Sequence, residues 1–242
     1  MGNKLTISCS CDSNYFKHAW VLIQSTIRYN PDVDFILTGI HLTEEERNMV
    51  SELPIKFVDD RVNLTSKKII MTKGIDGNHP RMMNLRTRLM SPRVCYTVHS
   101  KFYNTDKLLT AGVETILVLD ADAIIRGNIS SIANLLQSHD MAVSYDDRVP
   151  GGLLPISYPV FKEGVMLVKS NKITKKFFRQ ISTKLKSLTF TGNSKYLDVD
   201  SDSEIMGETY CEMSKEISIL NLPSIYKDTE FTNNAVSYTH LT

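Results

Sequence analysis

A short apolar run that ends on two carboxylates limits the possible folds of this chain more than any other feature. Thr115 is followed by four apolar residues, Ile116 to Leu119, and then by Asp120, Ala121 and Asp122. Such a run is typical of a strand covered on both faces, as in a largely parallel sheet. The residues on either side of Ala121 project the same way from an extended backbone. We therefore predict a buried strand with an acidic pair at its carboxyl end.

The acidic pair suits a hard divalent cation. Carboxylate oxygens are ligands of Mg²⁺ and Mn²⁺, and both ions keep open positions for phosphate oxygens. Open α/β sheets bind ligands at the carboxyl ends of their strands, where Asp120 and Asp122 are expected. The alternative is an ordinary turn in which both carboxylates are solvated. The apolar run before the pair favours the ligand site.

Predicted strands and helices alternate along the rest of the chain, which favours βαβ units and an α/β fold. Asp12, Ser13 and Asn14 offer caps for the first helix, and Thr43 with Glu46 forms a capping-box pattern at the second. The predicted strands are 5–9, 33–38, 55–58, 115–119, 141–144 and 164–168. Helices are predicted up to about 29, from 43, over 94–109, near 132, over 173–188 and after 204. Residues 60–92 show no clear period, and a loop of that length is uncommon unless it is functional.

Composition favours small-molecule chemistry. The 242 residues carry a formal net charge of +1, which gives no indication of a nucleic-acid or anionic-membrane surface. No apolar run is long enough for a transmembrane segment, and the amino terminus lacks a signal-peptide pattern, so we expect a cytoplasmic protein. We expect one domain, although the length also permits two small ones. The four cysteines are expected to be buried free thiols.

Several separated segments resemble the retaining glycosyltransferases of the glycogenin and lipopolysaccharide galactosyltransferase type. The first is the segment from Ile7 to Tyr15, which is similar to that family's opening strand and nucleotide loop. The resemblance implies that Asp12 and Asn14 contact the uracil and ribose and that Tyr15 stacks on the base. It also places Ser8 and Ala121 among the nucleotide-binding residues. Without the resemblance, a half-buried helix aromatic is the simpler interpretation of Tyr15.

The second segment, Asp120 to Ile129, resembles the family's metal motif and its continuation into a short helix. The third, Tyr158 to Val168, is similar to a strand with a Phe-Asn-Ala/Ser-Gly-Val pattern that lines the sugar pocket. Here Lys162 replaces the usual Asn and Glu163 replaces the usual small residue, which leaves the sugar specificity open.

The fourth segment, Asp202 to Met206, resembles an acidic element near the anomeric carbon, with Ser203 where Gln is usual. The resemblance implies that Asp202 stabilises oxocarbenium character or orients the donor sugar. The alternative is that these acids interact with the dipole at a helix start. Lys101 lies near the position of a family Arg that points toward the donor. Asp146, after the strand 141–144, is a further candidate for contacting sugar hydroxyls.

The resemblance implies a Rossmann-like nucleotide-diphospho-sugar transferase of the type A fold, with a mostly parallel sheet flanked by helices. The expected activity is metal-dependent transfer of a hexose from a UDP-sugar to a hydroxyl of a saccharide, glycolipid or protein, with retention. Asp120 and Asp122 would bind Mn²⁺ or Mg²⁺. Two alternatives remain: a non-catalytic sugar-nucleotide or carbohydrate-binding protein, and a sugar nucleotidyltransferase. The second usually has a Gly-rich loop after its first strand, and Ser8 to Tyr15 contains no Gly.

The carboxyl terminus needs a separate interpretation. The family's third metal ligand is a late His, and His240 could occupy that role. However, Val236 to Thr242 matches the translation of a sequencing adapter. We therefore expect a single glycosyltransferase domain over residues 1–235, truncated at its carboxyl end, with His240 outside the native sequence.

Overall fold

The structure is a computed structural model that describes residues 4–63, 92–146, 159–191, 201–223, 226 and 236–238. Its strands are β1 Leu5–Asp12, β2 Asp34–Ile40, β3 Lys56–Asp60, β4 Thr115–Leu119, β5 Ala123–Ile125, β6 Met141–Asp146, β7 Val160–Lys169, β8 Ile219–Asn221 and β9 Val236–Tyr238. The helices are α1 Phe16–Tyr29, α2 Glu44–Ser51, α3 Pro92–Thr110, α4 Lys172–Thr191 and α5 Ser201–Met213, with a 3-10 helix at Ile132–Leu136.

Seven strands form a mostly parallel central sheet in the order β3-β2-β1-β4-β7-β6-β8. β1 is parallel to both β2 and β4, whereas β7 runs antiparallel to β4 and β6. The carboxyl ends of β1 and β4 therefore lie side by side, with Cys9 opposite Leu119. This arrangement confirms the predicted α/β fold and the mostly parallel sheet.

The central position of β4 explains its continuous apolar sequence. Leu117 and Leu119 pack into the core under α1, while Ile116 and Val118 pack into the core on the opposite face. The second core also contains buried side chains of α3, α4 and α5. Because successive side chains of a strand alternate between faces, a strand covered on both sides needs apolar residues at every position. The predicted buried strand is confirmed.

The helices follow from the spacing of their apolar residues. In α1 the buried residues are Phe16, Ala19, Leu22, Ile23 and Thr26, which form one stripe at the helical period. The capping box of α2 is present, with the Thr43 side chain accepting from the Glu46 backbone. In the described part of the chain, no helix combines the length and the apolar character needed to cross a membrane.

Several local predictions differ from the structure. β1 continues to Asp12, so α1 begins only at Phe16, and Tyr15 is its N-cap residue without a side-chain hydrogen bond. Cys9, Cys11 and Cys95 are buried thiols as predicted, but Cys211 is exposed on α5. β5, β8 and β9 were not predicted because each has only three residues, too few to show a period.

Two predictions concern segments that the structure describes only in part. Most of the predicted functional loop, residues 64–91, lies outside the described residues, and so does His240. The strand β9, Val236–Tyr238, pairs antiparallel with β5, and Val236 lies opposite Ile125. The adapter origin of these residues stays a prediction.

Candidate active site

The acidic pair lies in a tight turn at the carboxyl end of β4. The Asp120 backbone N–H donates to the Gly164 carbonyl on β7 at 3.0 Å, and the Ala123 N–H donates back to the Asp120 carbonyl at 3.1 Å. Ala121 is buried, while Asp120 and Asp122 are half-buried. The turn therefore keeps both carboxylates at the sheet edge with partial access to solvent.

A largely buried lysine of α3, with 12% of its side chain exposed, lies between the acidic pair and α5. The Lys101 Nζ is 3.2 Å from an Asp120 carboxylate oxygen and 3.8 Å from an Asp202 carboxylate oxygen. Burial alone would lower the pKa of Lys101, but Asp120, Asp202 and Glu163 outweigh it and raise the pKa. Lys101 is therefore a permanent cation that joins three predicted site residues from different elements.

Two further acids line the same cluster. Glu163 on β7 and Asp202 at the start of α5 are both buried. Burial raises the pKa of Glu163 to about 8, with Asp202 adding to the shift and Lys101 opposing it. Burial also raises the pKa of Asp202, more than Lys101 lowers it. Ser203 Oγ donates to the Phe161 carbonyl at 3.1 Å, which connects α5 to β7 beside these carboxyls.

The predicted nucleotide residues form a hydrogen-bonded loop at the carboxyl end of β1. The buried Asp12 carboxylate accepts from the Asn14 backbone at 3.0 Å, from the Asn14 side chain at 3.1 Å and from the Tyr15 backbone at 3.4 Å. Tyr15 is 49% exposed, so part of its side chain is accessible from solvent. Ser8 is buried within β1.

Side chains that the sequence did not indicate hold this loop in place. Ser13 Oγ lies 2.8 Å from Glu46 Oε2, and the same carboxylate oxygen accepts from the Thr43 backbone at 2.8 Å. The capping-box pattern predicted the contact between Glu46 and Thr43, but nothing in it indicated that the carboxylate also reaches Ser13. On the opposite face, the Asn104 amide donates to Ser10 Oγ at 2.9 Å and ties α3 to β1.

Asn30 connects α1 to the segment after the acidic pair. Its side-chain amide donates to the Gly127 carbonyl at 3.0 Å, and its Oδ1 accepts from the Ile129 backbone at 2.8 Å. In the sequence, this residue is indistinguishable from an ordinary Asn that follows a helix.

The structure brings only some of the predicted residues together. Lys101, Asp120, Glu163, Asp202 and Ser203 form one cluster, and the loop of Asp12 lies on the adjacent strand end. Asp146 ends β6, but its side chain is not among the described ones. Lys162, the neighbour of Glu163, is exposed.

The fold defines a Rossmann-like α/β protein with a cluster of acidic residues at the carboxyl edge of its sheet. The sequence profile of Glycosyl transferase family 8 matches residues 6–216. The chain belongs to this family and is a nucleotide-sugar glycosyltransferase.

Solved structures of glycosyltransferases share the fold. The galactosyltransferase LgtC in complex with donor and acceptor sugar analogues is 17% identical, with 97% of this chain and 87% of that chain covered and a TM-score of 0.56. An active-site mutant of LgtC is 18% identical over the same shares, with a TM-score of 0.59. GlyE of Streptococcus pneumoniae TIGR4 is 15% identical, covering 93% of this chain and 46% of that chain, with a TM-score of 0.53. No curated protein matches this chain.

Proposed function

We propose that the chain transfers a hexose from a UDP-sugar to a hydroxyl acceptor, with a divalent cation bound at Asp120 and Asp122 and with retention of configuration. The observation that carries the proposal is the position of these carboxylates beside the buried cluster of Lys101, Glu163 and Asp202. In a member of this glycosyltransferase family, that edge of the sheet is where the donor is expected to bind.

The two carboxylates fit Mn²⁺ or Mg²⁺. Both are half-buried oxygen ligands, which these hard cations prefer. No third His, Cys, Asp or Glu completes a metal-binding group within the described residues, so diphosphate oxygens and water would supply the other ligands. A bound divalent cation neutralises the charge that develops on a diphosphate leaving group. The thiol of Cys9 lies close enough to interact with Asp120 and Asp122, but soft sulfur is not a preferred ligand of these hard cations.

The nucleotide would bind along the loop that follows β1. Tyr15 offers an exposed ring for stacking on a base, an interaction that every base can make. The Asp12 carboxylate already orders the backbone of Asn14 and Tyr15, so it can act by holding this loop. Ser8 and Ala121 are buried and would contribute the floor of the site.

Asp202 is the proposed catalytic residue. It lies at the start of α5, buried and 3.8 Å from the Lys101 ammonium. A buried carboxylate in a fixed position can stabilise the positive charge that develops at the anomeric carbon. Asp146 and Ser203 are proposed to contact the donor sugar or to order residues that do. The acceptor is proposed to be a saccharide, glycolipid or protein hydroxyl, and the location is proposed to be the cytoplasm.

The experiment is nucleoside diphosphate release from a panel of UDP-sugars and GDP-sugars with Mn²⁺, with and without chelator. We expect release from one donor, its loss with chelator, and a fall of about 100-fold or more in Asp122→Asn. Asp122 is a better target than Asp120 because Asp120 also pairs with the buried Lys101. Asp34→Asn is the matched control, since Asp34 is an exposed acid at the amino end of β2, paired only with the surface Lys4 among described residues.

Each outcome separates the proposal from its competitor. Chelator-resistant release would contradict the metal site, and release from GDP-sugars alone would contradict the uridine donor. A chain that binds UDP but releases nothing from any donor would be a non-catalytic sugar-nucleotide binder. The anomeric configuration of the product, measured by proton NMR, decides between retention and inversion.

A further inference from the structure

A bulge in β7 places Glu163 beside the acidic pair. Along β6 and β7, Val143 pairs with Met166 but the next residue, Ser144, pairs with Lys162, so three residues of β7 have no opposite partner on β6. The Gly164 carbonyl inside this bulge accepts from the Asp120 backbone. Bulges next to active sites commonly redirect a side chain. Here the redirected side chain is that of Glu163, which is buried toward Lys101 and Asp202.

The Glu163 carboxyl group has an unused hydrogen-bonding atom. The residue is 7% exposed, and its Oε1 has no hydrogen-bond partner among the described residues. A buried polar atom without a partner is costly, because it has lost its water and gained no replacement. Such an atom at the edge of a ligand site indicates a group that the ligand itself satisfies.

The charges around Glu163 determine which kind of group fits. Lys101 supplies one positive charge against the acids Asp120, Asp202 and Glu163. The Glu163 carboxyl group accepts hydrogen bonds when it is ionised, and it can both donate and accept when it is protonated. A sugar hydroxyl, which also donates and accepts, matches a carboxyl group of this kind. A carboxylate or phosphate placed against Glu163 itself, beside Asp202 and away from the cation proposed at Asp120 and Asp122, would add negative charge to two neighbouring acids.

We infer that Glu163 determines donor specificity by hydrogen bonding one hydroxyl of the transferred hexose. The inference rests on the proposed function, and it adds a contact to the transferred sugar. Glu163 acts in recognition of the sugar, while Asp202 and Lys101 remain at the reacting end of the donor.

The test combines variants of Glu163 with monodeoxy analogues of the preferred UDP-hexose. We expect Glu163→Ala to lower kcat/KM for the intact donor about 10- to 100-fold, as loss of a buried hydrogen bond does. For one deoxy analogue, the kcat/KM of wild type should fall by a similar factor relative to the intact donor. The kcat/KM of Glu163→Ala should fall less than about threefold between the intact donor and the same analogue. Glu163→Gln, which keeps a donor and an acceptor, should retain most of the discrimination. Affinity for UDP alone should stay within about twofold, which also shows that the variants fold.

Two results would overturn the inference. One is that every deoxy analogue lowers kcat/KM by the same factor in Glu163→Ala and in wild type, because Glu163 would then have only a structural role. The other concerns the hexose contribution to binding, which calorimetry gives as the ratio of the affinities for UDP-hexose and UDP. If this ratio is the same in Glu163→Ala and in wild type, Glu163 does not bind the hexose. Calorimetry also applies to a chain without turnover. In that case the proposed transfer activity is contradicted. The inference is still supported if the hexose increases the affinity of wild type but not that of Glu163→Ala.

Discussion

At the scale of single residues, Lys101 decides whether the acidic cluster is stable. Its side chain is 12% exposed, and its ammonium group lies among carboxyl groups from β7, from α5 and from the turn after β4. We predict that Lys101→Ala lowers the free energy of unfolding by about 3 kcal/mol, because it leaves buried charges without their counterion. Urea denaturation followed by circular dichroism measures this change.

Lys176→Ala is the matched control for Lys101→Ala. Lys176 contacts Glu216 at 2.8 Å, but both side chains are about half exposed, at 48% and 50%. Exposed ion pairs contribute at most about 1 kcal/mol. Equal effects of the two substitutions would mean that the Lys101 cluster is as solvated as a surface pair.

His99 gives the protein a specific sensitivity to acid. Burial, assisted by the nearby Lys101, lowers the pKa of His99 to about 4, and its Nδ1 lies 3.0 Å from Thr189 Oγ1. An unfolded His titrates near 6.5, so the unfolded state binds more protons between those values and stability falls as the pH falls through that window. We predict that wild type loses about 3 kcal/mol relative to His99→Gln between about pH 7 and about pH 4.

The difference between the two proteins isolates the His99 contribution, because all other acids titrate equally in both. Urea midpoints measured across the window give that difference. His139→Gln is the control, since His139 is also hydrogen bonded, to Ser218 Oγ at 2.8 Å, but in an exposed position. A pH-independent difference between wild type and His99→Gln would show that His99 ionises normally in the folded protein.

At the scale of elements, α1 fixes the segment that follows the acidic pair. Asn30 binds both the Gly127 carbonyl and the Ile129 N–H and is itself buried. We predict that Asn30→Ala destabilises the protein by about 2 kcal/mol, because the buried Ile129 N–H and the partly buried Gly127 carbonyl lose their partners. Hydrogen exchange should also become faster at Ile129 than at Leu117 in the centre of β4.

Asn48→Ala is the matched control for Asn30→Ala because Asn48 is exposed on α2. We expect a change within about 0.5 kcal/mol for this surface substitution. If Asn30→Ala leaves exchange at Ile129 unchanged, the segment is held by its own packing and α1 has no positioning role.

The predictable elements are those whose sequence is determined locally. β4 is apolar from Ile116 to Leu119 because both of its faces are buried, and the start of α2 depends on a capping box within four residues. The start of α1 was predicted too early, because Asp12 belongs to β1 and its carboxylate orders the following turn. Strands of three residues, such as β5 and β8, depend on partners that are distant in the sequence.

The same distinction applies to the candidate site. The sequence of β4 alone predicts Asp120 and Asp122 as site residues, whereas only the family resemblance predicts Lys101, Glu163 and Asp202. Their convergence depends on α3, β7 and α5, which no local pattern brings together. The contact of Ser13 with Glu46 gave no signal at all, because it is a tertiary contact between two common polar residues.

At the scale of the whole molecule, the sheet separates two proposed tasks. The parallel strands β1 and β4 end at the loop of Asp12 and at the acidic pair, where we place the nucleotide and the metal. The antiparallel β7, together with α5, brings Glu163 and Asp202 to the other side of β4, where we place the sugar. Ligands that bind across β4 should therefore stabilise the whole fold, since they contact both halves of the sheet.

We predict that UDP and Mn²⁺ together raise the thermal midpoint by about 5–10 °C at a hundredfold excess over Kd, since binding to the folded state alone adds about 2.7 kcal/mol. Differential scanning fluorimetry measures the shift.

Mn²⁺ without UDP should raise the thermal midpoint only slightly, because only two protein carboxylates bind the ion. In Asp122→Asn, UDP should still raise the thermal midpoint, but adding Mn²⁺ should raise it no further. Asp34→Asn should behave as wild type. An equal shift from Mn²⁺ in Asp122→Asn would place the ion elsewhere, and an equal shift from ADP would mean that the loop of Asp12 and Tyr15 does not select the base.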